Sequence, residues 1–103
     1  MTKKRMATIK NRIKKIKAEI FAVGEMRPGS LTKQYRDPEN KTGSYYQISY
    51  THEMRSRTEY VRSEFVQEIK LQIKNYKYYK KLNSQLISLS IELSKLAMKL
   101  PKE

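Results

Sequence analysis

SEFVQEIKLQIKNYKYYKKLNSQLISLSIELSKLAMKL, residues 63–100, is the stretch that decides how this chain folds. Leu82, Leu86, Leu89, Leu93, Leu96 and Leu100 follow one another at alternating steps of four and three. That spacing lines side chains along one seam of a helix. Val66, Ile69, Ile73 and Tyr76 keep the alternation upstream, and Tyr79 joins the two runs through two successive steps of three. The missing residue acts as a stammer and predicts a rotation of the seam near Tyr78 and Tyr79. Ser63 reads as the N-cap, and Glu64 and Glu68 put negative charge near the positive end of the helix dipole. No Gly or Pro interrupts the run before Pro101, so a single helix of roughly 55 Å is expected. Such a helix outreaches a domain this small. Part of it must pair with another helix or with a second copy of the chain.

The same helix carries a basic stripe. Lys70, Lys74, Lys77 and Lys81 recur at four, three and four and share one face, with Lys80 beside them. No acid falls between Ile69 and Leu82, and Tyr76, Tyr78 and Tyr79 interleave with the lysines. Most lysine-rich helix faces are merely solvated. An uncompensated stripe of one sign beside aromatic rings also has the form of a phosphate-backbone contact.

Working towards the N-terminus, Met6, Ile9, Ile13, Ile16, Ile20 and Val23 form a second seam, spaced three, four, three, four and three. Gly24 reads as its C-terminal cap. This segment, residues 1–24, holds eight Lys and Arg against the single acid Glu19. Its six seam positions equal in number the six leucines of the long helix, so the two stripes can bury each other. Within one chain the pairing is expected to be antiparallel; an intermolecular pairing satisfies the same pattern.

Between the helices, residues 28–62, the period changes to two. Pro28-Gly29-Ser30 is turn chemistry, and Leu31, Lys33 and Tyr35 alternate with Thr32, Gln34 and Arg36 as a first short strand. Asp37 to Gly43 is a loop with breakers at both ends. Ser44 to Tyr50 is the strongest strand, with Tyr46, Ile48 and Tyr50 on the core side and Tyr45, Gln47 and Ser49 on the other. Thr51 to Arg55 reads as a turn and Ser56 to Val61 as a third strand. The fold expected is α+β in one domain: a basic N-terminal helix, a three-stranded antiparallel meander, and a long C-terminal helix with a coiled-coil-like seam.

A length of 103 residues supports one modest core. A net charge of +13 points to polyanionic partners, with nucleic acid first. The absence of Cys removes disulfides, thiolate zinc sites and thiol catalysis without fixing a compartment. No apolar run follows the basic N-terminus, so neither a signal peptide nor a membrane span is expected, and the cytoplasm is the default location. His52-Glu53-Met54-Arg55 has the H-x-x-R spacing of tyrosine recombinases, but a chain this short does not hold that catalytic domain; a polar turn is the expected reading. The acids are scattered, the three Gly are isolated, and a lone His builds no zinc site. A non-enzymatic protein with no cofactor, no metal and no small-molecule substrate is expected.

The central motifs carry a resemblance. Pro28-Gly29-Ser30-Leu31, then Tyr35-Arg36, then Gly43-Ser44-Tyr45-Tyr46 and Tyr50, then Arg57-Thr58-Glu59-Tyr60-Val61, precede a helix containing Asn75-Tyr76. Their order resembles a small prokaryotic family of unknown function associated with mobile genetic elements and transposases, over roughly Met26 to Leu96. Many of its members carry a cysteine cluster, similar to a zinc knuckle, in the loop after the Tyr-Arg pair. Here Asp37 to Thr42 has no Cys or His, so this chain reads as a cysteine-less variant. The resemblance implies association with DNA elements and no particular reaction.

Together these readings give a homodimeric DNA-binding protein. Backbone contact with duplex DNA is expected from Lys70, Lys74, Lys77 and Lys81. Lys33, Arg36, Lys41, Tyr45, Arg55 and Arg57 supply a basic and aromatic meander surface, with Tyr45, Arg36, Lys41, Arg55 and Arg57 on one exposed face. RNA in place of DNA, and a coiled-coil adaptor for an acidic protein, remain as alternatives.

Overall fold

The computed structural model describes residues 2–101. The order of elements is α1 (Thr2–Phe21), β1 (Ser30–Asp37), β2 (Thr42–His52), β3 (Arg55–Val61), a short 3-10 turn (Ser63–Phe65) and α2 (Val66–Ala97). The architecture is α+β, as the change of period predicts. Met1, expected as the first residue of the basic helix, lies outside the described residues. No helix among the described residues is long and apolar enough to cross a membrane.

The chain forms two compact units, residues 1–23 with 78–103 and residues 24–77, and α2 runs unbroken through both. The first unit is a helical hairpin. Ile9 and Ile16 of α1 are buried with Leu82 and Leu89 of α2, and Ile13, Ile20, Val23, Leu86, Leu93 and Leu96 pack around them. The pairing is antiparallel: Arg5 near the start of α1 reaches Glu92, and Glu19 near its end meets Tyr78. Helix α1 closes through Ala22 N–H bonds to Ala18 and Glu19 and a Val23 N–H bond to Ile20. Gly24 is therefore not the expected cap. It lies three residues past the last helical residue, and the glycines that adopt positive φ are Gly29 and Gly43.

The second unit is an antiparallel meander in the order β1-β2-β3, with the first half of α2 on one face. Ile48, fully buried at the centre of β2, anchors a core of Val61, Val66 and Ile73, with Leu31, Tyr46 and Ile69 packed against it. The period-two reading thus places Tyr46 and Ile48 on the core side. Just before β1, Gly29 has φ +146°, and a Cβ there would lie 2.7 Å from Ile48 Cγ1. Both backbone conformation and space therefore require glycine. The connection from α1 is pinned to α2 by Asn75 Nδ2 donating to the Glu25 carbonyl at 2.9 Å and by the Arg27 N–H donating to the Gln72 carbonyl at 3.2 Å.

Three connections differ from expectation. The loop expected over Asp37 to Gly43 shortens to residues 38–41, because β1 runs to Asp37 and β2 begins at Thr42. β2 and β3 continue to His52 and Arg55, so the turn expected over Thr51 to Arg55 shrinks to Glu53 and Met54. Both have left-handed φ, +50° and +65°, the geometry that matches the twist of a tight hairpin. Ser63 is not an α-helix N-cap. It opens the 3-10 turn, whose own cap residue Arg62 makes no side-chain cap bond, and α2 begins at Val66.

Ile48 sits where every layer of the sheet unit meets. Ile48→Ala is expected to cost about 2–5 kcal/mol of unfolding free energy in urea melts. Gln47→Ala, on the opposite face, should cost under about 0.5 kcal/mol. Equal losses would place the strand in the wrong register.

Candidate nucleic-acid interface

Charge is unevenly shared between the two units. The helical hairpin holds thirteen Lys and Arg against three acids, net +10, and the sheet unit holds ten against seven, net +3. On α1, Lys3, Lys10, Lys14 and Lys17 recur at seven, four and three and form one exposed row about 21 Å long, with Lys4 and Lys15 on the adjoining flank. Ile9 and Ile16 commit a neighbouring face to the core. The acids of this unit that lie among the described residues are engaged elsewhere. Glu92 takes Arg5, with Nη2 at 2.8 Å and Nε at 3.1 Å from one carboxylate oxygen. Glu19 accepts the Tyr78 hydroxyl at 3.3 Å. Partial burial, then the negative charge of Glu19 and this bond, hold the Tyr78 pKa above its usual value. The row of lysines thus repels itself with no carboxylate interleaved among the described residues, at about 0.2–0.5 kcal/mol per like pair.

A second cluster forms in the sheet unit. β1 sets Lys33 two positions beyond Leu31 on the helix-facing side of the sheet, and α2 sets Lys70 and Lys77 three before and four after the buried Ile73. These three lysines line an open cleft of about 500 Å3, with Leu31, Ile73 and Tyr46 among its walls and no carboxylate in its lining. Lys33 Nζ lies 5.7 Å above the Tyr35 ring, a position that holds the ammonium in place. The expected stripe therefore divides. Lys70 and Lys77 join Lys33; Lys74 is exposed outside the cleft lining, and Lys81 belongs to the hairpin unit.

Strand register sorts the remaining predicted residues, because directly paired residues share a face of the sheet. Leu31 pairs with Ile48 and Ile48 with Glu59; Lys33 pairs with Tyr46 and Tyr46 with Val61; Tyr50 pairs with Arg57 and His52 with Arg55. Lys33, Arg55 and Arg57 therefore share the face of Ile48. Arg36 and Tyr45 project from the other face, and Lys41 sits in the β1–β2 turn with φ +53°. The expected grouping of Tyr45, Arg36, Lys41, Arg55 and Arg57 on one face does not occur. The two-residue turn at Glu53-Met54 fixes β3 so that Arg55 and Arg57 point to the helix side.

Sequence reading did not single out Arg27. Its guanidinium lies 5.0 Å over the Tyr50 ring and 3.3 Å from Glu59. The Tyr50 hydroxyl bonds to Glu59, which raises the tyrosine pKa; the same bond, followed by Arg27, lowers that of Glu59. Arg57, directly across from Tyr50, faces this negative centre too. No sequence signal links residues 27, 50 and 59, since their meeting depends on register.

No protein-family profile, no curated protein and no solved structure matches this chain.

The Glu59 carboxylate titrates lower in the folded chain than in the unfolded one. Its contribution to stability is present above the ordinary carboxylate range and lost as pH falls through the lowered value. Arg27→Ala should raise the Glu59 pKa towards its ordinary value in an NMR titration of the side-chain carbonyl carbons. An unmoved titration would remove Arg27 from the cluster.

Proposed function

We propose that this chain is a non-enzymatic nucleic-acid-binding protein that grips the phosphate backbone with lysine. The observation that carries this reading is the net +10 helical hairpin, whose α1 lysine row meets no carboxylate among the described residues. A polyanion that replaces condensed counterions along such a row gains the entropy of their release. The three-lysine cleft of the sheet unit offers a second backbone contact. Our favoured polyanion is DNA, in keeping with the sequence resemblance to proteins associated with mobile elements.

Lysine is a compact, hydrated point charge that holds a phosphate without reading a base. Lys10, Lys14 and Lys17, changed together to Gln, should reduce the magnitude of the log K against log salt slope by about 2–3, on all DNA sequences alike. The triple change of Lys33, Lys70 and Lys77 to Gln should lower it separately. Both slopes are read from fluorescence anisotropy with labelled duplexes, with circular dichroism as the folding control. If both variants keep the parent's affinity and slope, the lysine faces are solvated surface only. Preferential binding to RNA, or to an acidic protein with no binding to nucleic acid, would replace DNA with those partners.

The hairpin also suits self-association. Ile87 and Ile91 are each 51% exposed on a flank of α2 separate from the leucine seam, and Met98, just past the end of α2, is 77% exposed. Two copies joined there would bring net +10 units together, so salt should strengthen the dimer by screening the repulsion. Light scattering should show a larger dimer fraction at about 0.5 M than at about 0.05 M NaCl, and Ile87→Glu should abolish it. A monomer at both salts would exclude this association.

A further inference from the structure

The face of the sheet turned away from α2 carries Ser, Thr and Gln, two tyrosines and Arg36, with no carboxylate and no aliphatic side chain. Its two ends differ. Towards the Glu53-Met54 turn the hydroxyls bond to one another across the strands, Ser49 to Thr58 at 3.2 Å and Thr51 to Ser56 at 3.1 Å. Towards the other end lie two aromatic rings. Tyr60 pairs directly with Gln47, so Tyr45, two positions along β2, is its diagonal neighbour on the same face. The ring centroids are 6.4 Å apart and tilted by 41°, and Tyr60 is 63% exposed. Arg36 follows in the same direction. It lies across from Gly43, where a Cβ would come within 3.1 Å of the Arg36 Cβ, so its stem lies across bare glycine backbone beside the Tyr45 position.

Resting on the nucleic-acid reading above, we infer that the outer face of the sheet is a stacking platform for unpaired bases, with Tyr45 and Tyr60 as the rings and Arg36 for the adjoining phosphate. A single strand offers flat apolar rings joined by negative charge, and this face offers one exposed ring, Tyr60, and one half-buried ring, Tyr45, beside a cation with no acid to repel the phosphate. Duplex DNA buries its base faces in its own stack and cannot use the rings. A second copy of this chain would meet the same cation and the same rings, with no aliphatic surface to bury. The charge complementarity selects the nucleic acid.

The full-length protein is titrated into a 5′-labelled 20-mer of oligothymidine and into a blunt 20-base-pair duplex, at two salt concentrations. Tyr45→Ala and Tyr60→Ala should each weaken binding to the single strand about tenfold. Their affinity for the duplex should stay within about twofold of the parent, and their salt slope should not change, because a stacked ring releases no counterion. Tyr60→Phe keeps the ring and should keep the affinity. The inference is overturned by unchanged single-strand affinity in both alanine variants, by equal loss on duplex and single strand, or by a Phe variant as weak as Ala. Failure of the backbone reading is distinct: the lysine variants would then leave the salt slope untouched whatever the tyrosines do. Circular dichroism and the intact duplex affinity verify that the variants are folded.

Discussion

Four lysines on one face of α1 repel each other, and the apolar seam on the adjoining face is what keeps them in a row. Ile9, Ile16, Leu82 and Leu89 are buried between the two helices of the hairpin. Each such side chain contributes about 1.5–3 kcal/mol by leaving water. Each like-charged neighbour on an exposed helix costs a few tenths. Burial wins, so the hairpin can carry a net charge of +10. The Arg5–Glu92 pair adds little, since both side chains are about half exposed.

In the sheet unit the controlling constraint is space around Ile48. A three-stranded meander is near the minimum that folds, so one buried side chain at its centre has to be met from every side. Val61, Val66 and Ile73 meet it from β3 and α2, and Gly29 admits its side chain by having none. This packing fixes the direction of every second residue. Lys33 is directed to the helix side because Leu31, two positions earlier, is in the core, and there it faces Lys70 and Lys77. Tyr45 is directed to the open side because Tyr46 is not. The same alternation that builds the core therefore distributes the cations and rings between the two faces.

Both helical seams were legible in the sequence because burial repeats with the helix period, and each extends over more than three turns. The strands were legible for the same reason, with period two. What escaped depended on single local choices. Glu-Met lacks the Asn or Gly that marks a two-residue hairpin, so the turn looked longer and the parity of β3 was lost with it. Without parity, Arg55 and Arg57 fall on the wrong face in the sequence reading, grouped with Tyr45 instead of Ile48. Ser63 and Gly24 have the right chemistry for caps, yet a 3-10 turn and a non-helical exit took their places. The basic stripe on α2 was visible, but its division was not, because only the fold shows that Lys70 and Lys77 flank the one core residue opposite Lys33. The α1 row was visible as charge. Its lack of carboxylate neighbours among the described residues became readable only once Glu92 and Glu19 were seen to be engaged elsewhere.

The kind of cation also differs between the units. Eleven of the thirteen basic residues in the hairpin unit are Lys, whereas the sheet unit has five Lys and five Arg. A lysine ammonium is a mobile, hydrated point charge that satisfies any phosphate within reach. A guanidinium is planar and directional, and stacks on rings, as Arg27 does over Tyr50 and Arg62 over Phe65. On our reading the hairpin supplies affinity that follows charge density and salt. On the same reading the sheet, with its rings and directional cations, supplies discrimination. Affinity without direction tolerates any polyanion, so selectivity must come from the surface where geometry is fixed. In this chain that surface is the sheet, whose register leaves only one arginine, Arg36, on the same open face as Tyr45 and Tyr60.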